Sequence, residues 1–412
     1  MSISSPIRMI DSGLVFFYDA GSARSYVGAP SSNVYFTPTP DSSGNVTFSV
    51  NGNGTFKRLL EGNYGGYQIK PTDVVYRFDL DGTTGCWYHG NDYNIPSGYS
   101  VTFAFDYYIS PNATGYPSTN YLANIENGGN GLSAAVGDAT STLGVWKRAT
   151  MTPSGTSNGS GFSRFLLYPG ACGGKLANSG YILYKNPQAE IRPFSTAYIS
   201  TGAASTGSRS AIDSLLDMTG NYSIDLTSAG YDSAGGLVYS GAQNIYVSGS
   251  MGSQFENFTV DIWFKSNDVS SYRNPIDCNW LQYNGSYSNI GPRLEQNSSG
   301  NLVWVLGDIS GNYQGFNVVS SGLDVSKYHN AVITKDGTSI KTYYNGNLVT
   351  STTATYTHPG YFRNVQIGRG FSTSSERWFS GYIPTTKIYN RALSSNEVII
   401  NYNTNKSRFG LL

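Results

Sequence analysis

The chain has 412 residues, of which only 13% are charged, and its formal net charge is zero. At about 150 residues per domain that length allows two or three domains, each large enough for its own core. With no basic run, nucleic acid and acidic lipid lose the electrostatic attraction that usually recruits them, so neither is expected as a partner.

The 49 Gly and 33 Tyr point to β-structure. Gly supplies turns, and Tyr suits a half-buried pleated surface because its ring is apolar and its tip tolerates water. In chain order, the start MSISSPIRMID (1–11) lacks the apolar core of a signal peptide. No run approaches the roughly 18 apolar residues of a membrane span, so the chain is expected to be made and kept reduced in a cytoplasm. GLVFFYDAGSARSY (13–26) is a strand followed by a Gly-Ser turn. Between 28 and 200, the segments VTFSV (46–50), VVYRFDL (74–80), YSVTFAFDYYIS (99–110), GVWKRATMT (144–152), SRFLLYP (163–169) and GYILYKNPQAEI (180–191) mostly alternate in polarity. Turn residues separate them, which predicts a β-sandwich. TGAASTGSRS (201–210) is a small-residue linker, after which Ser210 and Asp213 are placed to cap a helical turn.

The C-terminal part is built around YHNAVITKDGTSIKTYYN (328–345). Asp336-Gly337 and Asn345-Gly346 each close a two-residue hairpin, giving a three-strand meander. Alternation predicts that Ala331 and Ile333 point to one side and Val332 and Thr334 to the other, with Leu348 at the matching position of the third strand, one face buried and one wet. At the end, Ser394 and Glu397 form a capping box in front of Val398, Ile399 and Tyr402, which predicts a short helix. The tail NTNKSRFGLL either packs back on the sandwich or reaches a neighbouring subunit.

Residues 329–350, with FTVDIWFK (258–265), VQIGRG (365–370) and GYIPTTKIYNRALSSNEV (381–398), resemble the concanavalin A-like, laminin-G-like jelly roll over most of 206–412. The opening 13–26 resembles the first segment of such domains, whose usual continuation reappears only at LLDMTGNYSIDLTSAGYDSAGGLVYSGAQNIYVS (215–248). The economical reading is an interrupted domain, since insertion at an exposed loop is tolerated. On that reading 1–11 is an arm, 12–27 the first strand, 28–200 an inserted module, 201–210 the linker, and 211–412 the laminin-G-like sandwich. The alternative assigns 1–26 to the inserted module. Trp146-Lys147-Arg148 and NPQAEIRPFSTAY (186–198) resemble carbohydrate-binding-module-like jelly rolls. The expected fold class is therefore all-β, two tandem antiparallel β-sandwiches with one short C-terminal helix.

The segments 13–26, 186–198 and 389–412 also resemble virion structural proteins of tailed phages. That resemblance implies a non-enzymatic particle component, either a head decoration or fibre or a tail or baseplate appendage. Its implied partners are other virion proteins and further copies of itself, trimeric if fibrous, and its localisation is the virion. The alternative is an adhesin that binds host surface polysaccharide.

Retaining glucanases of this superfamily carry Glu-x-Asp-x-Glu, and glycoside hydrolysis with retention needs two carboxylates about 5 to 5.5 Å apart. Glu61, Glu126, Glu190, Glu256, Glu295, Glu376 and Glu397 never fall within five residues of one another, and Asp261 stands alone in its strand. Catalysis is not expected. His89, His329 and His358 are isolated, and His329 reads as a hydrogen-bonded structural imidazole. Cys86, Cys172 and Cys278 have no metal-ligand spacing and read as buried free thiols rather than a disulfide framework. No cofactor is expected. Calcium occurs in relatives of both folds, and Glu190 and Asp308 mark where a structural ion would sit, although no dense Asp/Asn loop is present.

Glycan binding has a chemical basis, because sugar rings stack their apolar faces on exposed Trp or Tyr. GCWYHGNDYN (85–94) offers Trp87, Tyr88 and Tyr93 among short polar residues on an expected loop. NYGGY (63–67) offers Tyr64 and Tyr67 in the same way. The competing reading has these aromatics covering a sandwich edge or packing at a subunit contact. Trp263, Trp304 and Trp378 are assigned to core or sheet faces.

Overall fold

The computed structural model describes residues 9–411 except 23, 27–30, 34–40, 47–48, 53–55, 81–84, 89–91, 115–120, 138–142, 171–178, 196–197, 200–206, 233–235, 249–254, 279–281, 284–285, 288–290, 309, 311, 321, 357–359, 361, 363–364 and 373–374. The chain is all-β with one α-helix among these residues, Ser395–Asn405. No helix among them is long and apolar enough to cross a membrane. Two compact units form: Met1–Pro30 with Ser210–Asp232 and Gly236–Leu412, and Ser31–Arg209 with 233–235.

The first unit is a sandwich of two antiparallel sheets. One has the order Gly230–Tyr231, Leu237–Ser240, Ser380–Tyr389, Phe258–Ser266, His329–Asp336, Ser339–Tyr344, Asn347–Thr353. Leu14–Asp19 joins it, with Phe16 opposite Ile388 and Phe17 opposite Lys387. The second sheet runs Ser223–Asp225, Ile245–Ser248, Gln366–Ile367, Arg273–Asp277, Arg293–Gln296, Leu302–Gly307, Tyr313–Val319. Phe16, Tyr18, Val260, Ile262, Trp304 and Ile388 meet in the core between them.

Both hairpin turns of the meander form as their sequences dictate, with Gly337, Asn345 and Gly346 at positive φ. The expectation of one buried and one wet face fails. Ala331 and Ile333 are buried, and so are Val332 and Thr334 on the opposite side, where Val332 packs with Tyr343 and Tyr389 against Leu393 and Val398 of the C-terminal segment. Leu348 is 50% exposed. Its strand lies at the sheet edge, and a register shift between Thr342 and Tyr343 takes it out of the core-facing row.

The helix begins with the capping box read from sequence: the Ser394 Oγ accepts from the Glu397 N–H, and the Glu397 carboxylate accepts from the Ser394 N–H at 2.8 Å. Arg391 adds a bidentate ion pair to Glu397 at 2.7 and 3.0 Å. Arg391 above all holds the Glu397 carboxyl down to about 2, from a usual 4.5. A depressed carboxylate contributes stability that is complete above its unfolded value and lost as pH falls through the folded one. Glu397→Gln is therefore expected to destabilise at pH 7 by about 1 kcal/mol and to flatten the fall in stability between pH 4.5 and 2, read as urea midpoints across that range.

The tail packs back on its own sandwich. Tyr402 stacks on Trp263 at 5.5 Å, Phe409 lies 4.7 Å from the same indole, and Arg408 pairs with Asp19 at 2.6 Å. His329 is 2% exposed, with Nδ1 2.6 Å from the Tyr344 hydroxyl and Nε2 2.8 Å from the Asp324 carbonyl. Burial lowers its pKa, which fits a neutral structural imidazole. His89 and His358 lie outside the described residues. At the start of the 210s the expected helical turn is a short 3-10 turn, Ala211–Asp213, and the Ser210 hydroxyl bonds the Asp213 carboxylate instead of capping backbone.

The second unit is also a sandwich. Its larger sheet has the order Trp146–Met151, Thr102–Ile109, Tyr181–Glu190, Val75–Asp79, Phe56–Leu59, Asn45–Val46, and the facing sheet runs Ala134–Gly137, Tyr121–Asn127, Ser163–Gly170, Gly85–Tyr88, Ser49–Gly52. Phe103, Phe105 and Tyr107 point inward at alternate positions and meet Ile125, Phe165 and Leu167 of the facing sheet. VTFSV (46–50), expected as one strand, is divided: Asn45–Val46 pairs in the larger sheet and Ser49–Gly52 in the facing one.

Candidate functional site

The larger sheet of the second unit presents an outer face, and aromatic residues collect there. On Thr102–Ile109 the inward row is Phe103, Phe105 and Tyr107, which leaves Asp106 and Tyr108 outward after a bulge between Ala104 and Asp106. Trp146 is directly opposite Tyr108, and Tyr181 lies on the next strand. Tyr64 and Tyr67 arrive on a small hairpin, Asn63–Tyr64 with Tyr67–Gln68. Gly65 and Gly66 turn it at positive φ, and a Cβ on Gly65 would meet the Tyr108 ring at 2.6 Å.

The rings pack on one another. Trp146 lies 5.5 Å from Tyr108 and 5.7 Å from Tyr67, while Tyr181 lies 5.9 Å from Tyr64 and stacks on Tyr108 at 6.2 Å. The Trp146 Nε1–H donates to the Tyr64 carbonyl at 2.7 Å, fixing the indole. Ile69, Val75, Tyr108 and Leu183 form the buried floor, and Tyr64, Tyr67, Trp146 and Tyr181 remain half-buried above it.

Charged groups fringe this platform in balanced pairs. Asp106 accepts Arg148 at 3.1 Å and Lys185 at 3.2 Å, and Arg77 pairs with Asp79 at 2.6 Å. The Lys185 ammonium sits 3.9 Å from the Tyr67 ring centre and the Arg77 guanidinium 4.2 Å from that of Tyr181. The Tyr67 hydroxyl donates to Asp73 Oδ2 at 2.8 Å, and the Lys70 N–H donates to the same oxygen. Burial, then Asp73, pushes the Tyr67 phenol up to about 12. Burial also raises the Asp73 carboxyl, but its hydrogen bonds from Lys70, Tyr67 and Asn186 with the charge of Lys185 outweigh that and hold it below its usual range.

This assembly brings two of the sequence-derived candidates, Tyr64 and Tyr67, together with Tyr108, Tyr181 and Trp146, none of which was a sequence candidate for glycan contact, although Trp146 carries part of the module resemblance. The doublet of apolar rows on Thr102–Ile109 was the available signal, since a strand with aromatics on both faces must hide or use the second row. The other three candidates fare differently. Gly85–Tyr88 is a strand between Ser163–Gly170 and Ser49–Gly52, not a loop, because its backbone pairs on both sides. The side chains of Trp87 and Tyr88 lie outside the described residues. Tyr93 is half-buried, bridges to Ser163 and packs its ring 5.3 Å from Phe165, so it serves the sandwich core.

Among the described residues no group of three or more His, Cys, Asp or Glu is gathered to hold a metal. Glu190 is buried and accepts from Gln188 Nε2 at 2.8 Å; Asp308 accepts from the Ser310 and Asn312 N–H groups of its own loop. Cys278 is a buried free thiol, whose pKa burial raises. Cys86 and Cys172 lie outside the described side chains. Trp263 and Trp304 are buried and Trp378 is half-buried beneath the Arg369 guanidinium at 4.4 Å.

Residues 240–399 match the family described as the concanavalin A-like lectin/glucanases superfamily. The chain is similar in fold to the binding domain of botulinum neurotoxin serotype G, at 16% identity and a TM-score of 0.39, over 47% of this chain and 49% of the toxin domain. The binding domain of serotype D gives 20% identity and a TM-score of 0.36, over 46% of this chain and 49% of that one. A serotype D domain solved in complex with N-acetylneuraminic acid gives 20% identity, a TM-score of 0.36, and 47% and 49% coverage. The chain thus spans about half the length of these toxin domains. No curated protein matches.

Proposed function

We propose that the protein is a non-enzymatic binding module of a phage virion surface, and that its second unit holds a host surface glycan on the Trp146 face. One observation carries the glycan reading: Tyr64, Tyr67, Trp146 and Tyr181 stand half-buried and mutually fixed on the outer face of a sheet, fringed by short polar and charged side chains. Rigid rings give contact area with little loss of rotamer freedom, and balanced fringe charges provide hydrogen bonds to hydroxyls. A concanavalin A-like lectin fold in the other unit is compatible with a protein built for surface contact, though fold alone assigns no ligand. The virion placement rests on the sequence resemblance of segments 13–26, 186–198 and 389–412, and it includes assembly with other virion proteins and further copies of the chain.

A glycan array of host surface polysaccharides tests the reading with Trp146→Ala and Trp87→Ala side by side. Trp146→Ala is expected to weaken binding at least about tenfold, or 1.4 kcal/mol, in a chain that still unfolds cooperatively, with a lowered midpoint from the lost indole packing. Loss of binding with Trp87→Ala alone would move the site to the facing sheet, and turnover of any polymer on the array would end the non-enzymatic reading.

A further inference from the structure

The strands that carry the aromatic face end in a second feature. Thr102–Ile109, Trp146–Met151 and Tyr181–Glu190 are neighbours, and their aromatic ends hold Tyr108, Trp146 and Tyr181. At the opposite ends, where Thr102 is opposite Glu190 and Phe103 opposite Met151, the chain forms a cleft of about 480 Å³. Gly98, Tyr99 and Ser100 line it from before the first strand, Pro153, Gly155 and Thr156 from after the second, and 191–193 from after the third. Six residue-to-residue steps take the strand from Thr102 to Tyr108, or about 20 Å at 3.3 Å each.

The cleft is preformed. The Gly98 N–H donates to the Ser157 carbonyl at 2.8 Å, the Ser157 N–H donates to the Tyr99 carbonyl at 2.7 Å, and Thr102 Oγ1 donates to the Arg192 carbonyl at 2.8 Å. Tyr99 is held on this pinned loop with 55% of its surface exposed. An exposed aromatic ring on a pinned backbone, beside prolines and an isoleucine, offers a stacking surface.

We infer that the Tyr99 cleft is a second glycan subsite, and that together with the Trp146 face it takes an extended neutral polysaccharide along the strands instead of a chain end or a single sugar. This rests on the glycan reading of the Trp146 face. Neutrality follows from the ion pairs of the Trp146 face, where Arg77, Arg148 and Lys185 are each taken up by Asp79 or Asp106 and so are not free to recruit an acidic polymer; Arg192 also lines the cleft. Extension follows from the spacing: two stacking sites at opposite ends of the same strands, whose Thr102-to-Tyr108 stretch alone spans about 20 Å, act as a linked pair only for a ligand long enough to reach both.

The test uses the full chain with dextran, β-glucan, mannan and galactan, and with alginate as an anionic polymer, each offered as polymer and as disaccharide in calorimetric titrations. A neutral polymer is expected to bind at least about tenfold more tightly than its disaccharide. Tyr99→Ala should erase that difference and leave the disaccharide affinity as it was, whereas Trp146→Ala should weaken both. A silent Tyr99→Ala, or preference for alginate, overturns the inference while leaving the Trp146 face standing. A silent Trp146→Ala with binding lost in Tyr99→Ala removes the face and the paired site with it. No binding of any polymer at millimolar sugar overturns both readings.

Discussion

Phe16→Ala is expected to destabilise the unit that contains residues 236–412 by about 3–5 kcal/mol, the usual cost of emptying a buried phenylalanine site. Phe16 is fully buried, opposite Ile388, and packs edge-on to Tyr18 at 6.1 Å and Tyr222 at 6.4 Å. Its strand is further tied to the far end of the chain by the Asp217 carboxylate, which accepts from the Phe17 N–H at 3.0 Å, and by Thr385 Oγ1, which donates to the Tyr18 carbonyl at 2.9 Å. These bonds join residues about two hundred to nearly four hundred positions apart. The location of the damage is therefore more telling than its size. Hydrogen exchange should show lost protection in Phe258–Ser266 and Ser380–Tyr389, with Thr102–Ile109 unchanged. Lost protection in Thr102–Ile109 instead would mean that the amino-terminal strand stabilises the other unit.

That strand shows what kind of information the sequence carries. Alternation in LVFFYD says that Phe16 and Tyr18 share a face, and the resemblance of 13–26 to a domain opening says where to look for a partner; neither gives the register to Ser380–Tyr389. Hairpin turns were legible because Asp336-Gly337 and Asn345-Gly346 specify a backbone conformation locally. The capping box was legible for the same reason. The outer face of His329–Asp336 was not, because its burial depends on a helix more than sixty residues later, and a period of two cannot tell a helix-covered face from a wet one.

The aromatic face was harder still. Its rings come from Asn63–Tyr64, Tyr67–Gln68, Thr102–Ile109, Trp146–Met151 and Tyr181–Glu190, and only the first two form a local cluster in sequence. Density of aromatics favoured GCWYHGNDYN instead, yet that stretch supplies a strand in the facing sheet. A run of Trp and Tyr beside Gly and Asn reads as a loop when no pairing partner is visible, and the partners here are supplied by Ser163–Gly170 and Ser49–Gly52.

Lys387→Met is expected to cost about 3–5 kcal/mol, and Asp261→Asn combined with Lys387→Met to recover most of it. The two charges are directly opposite across neighbouring strands, 3.7 Å apart, with side chains 1% and 3% exposed. They lie in the outward row of the sheet, between Thr259, whose hydroxyl bonds the Arg391 carbonyl and the Leu393 N–H, and Trp263, which Tyr402 and Phe409 cover. Their attraction at this separation is about 4 kcal/mol for an effective dielectric near 20, similar to the several kcal/mol needed to desolvate each ion, so the intact pair contributes little net stability. Breaking it is a different matter. Asp261 would keep only the Asn330 Nδ2 donor at 2.7 Å and would hold a buried charge without a countercharge. The double variant removes the charge as well, and Met fills the volume beside Phe17 that the lysine stem occupied. Urea unfolding of the four members of this cycle gives the coupling directly. A Lys387→Met cost below about 1 kcal/mol would mean that water reaches Asp261, and hence that the carboxyl-terminal helix and tail lift from the sheet often enough to solvate the pair.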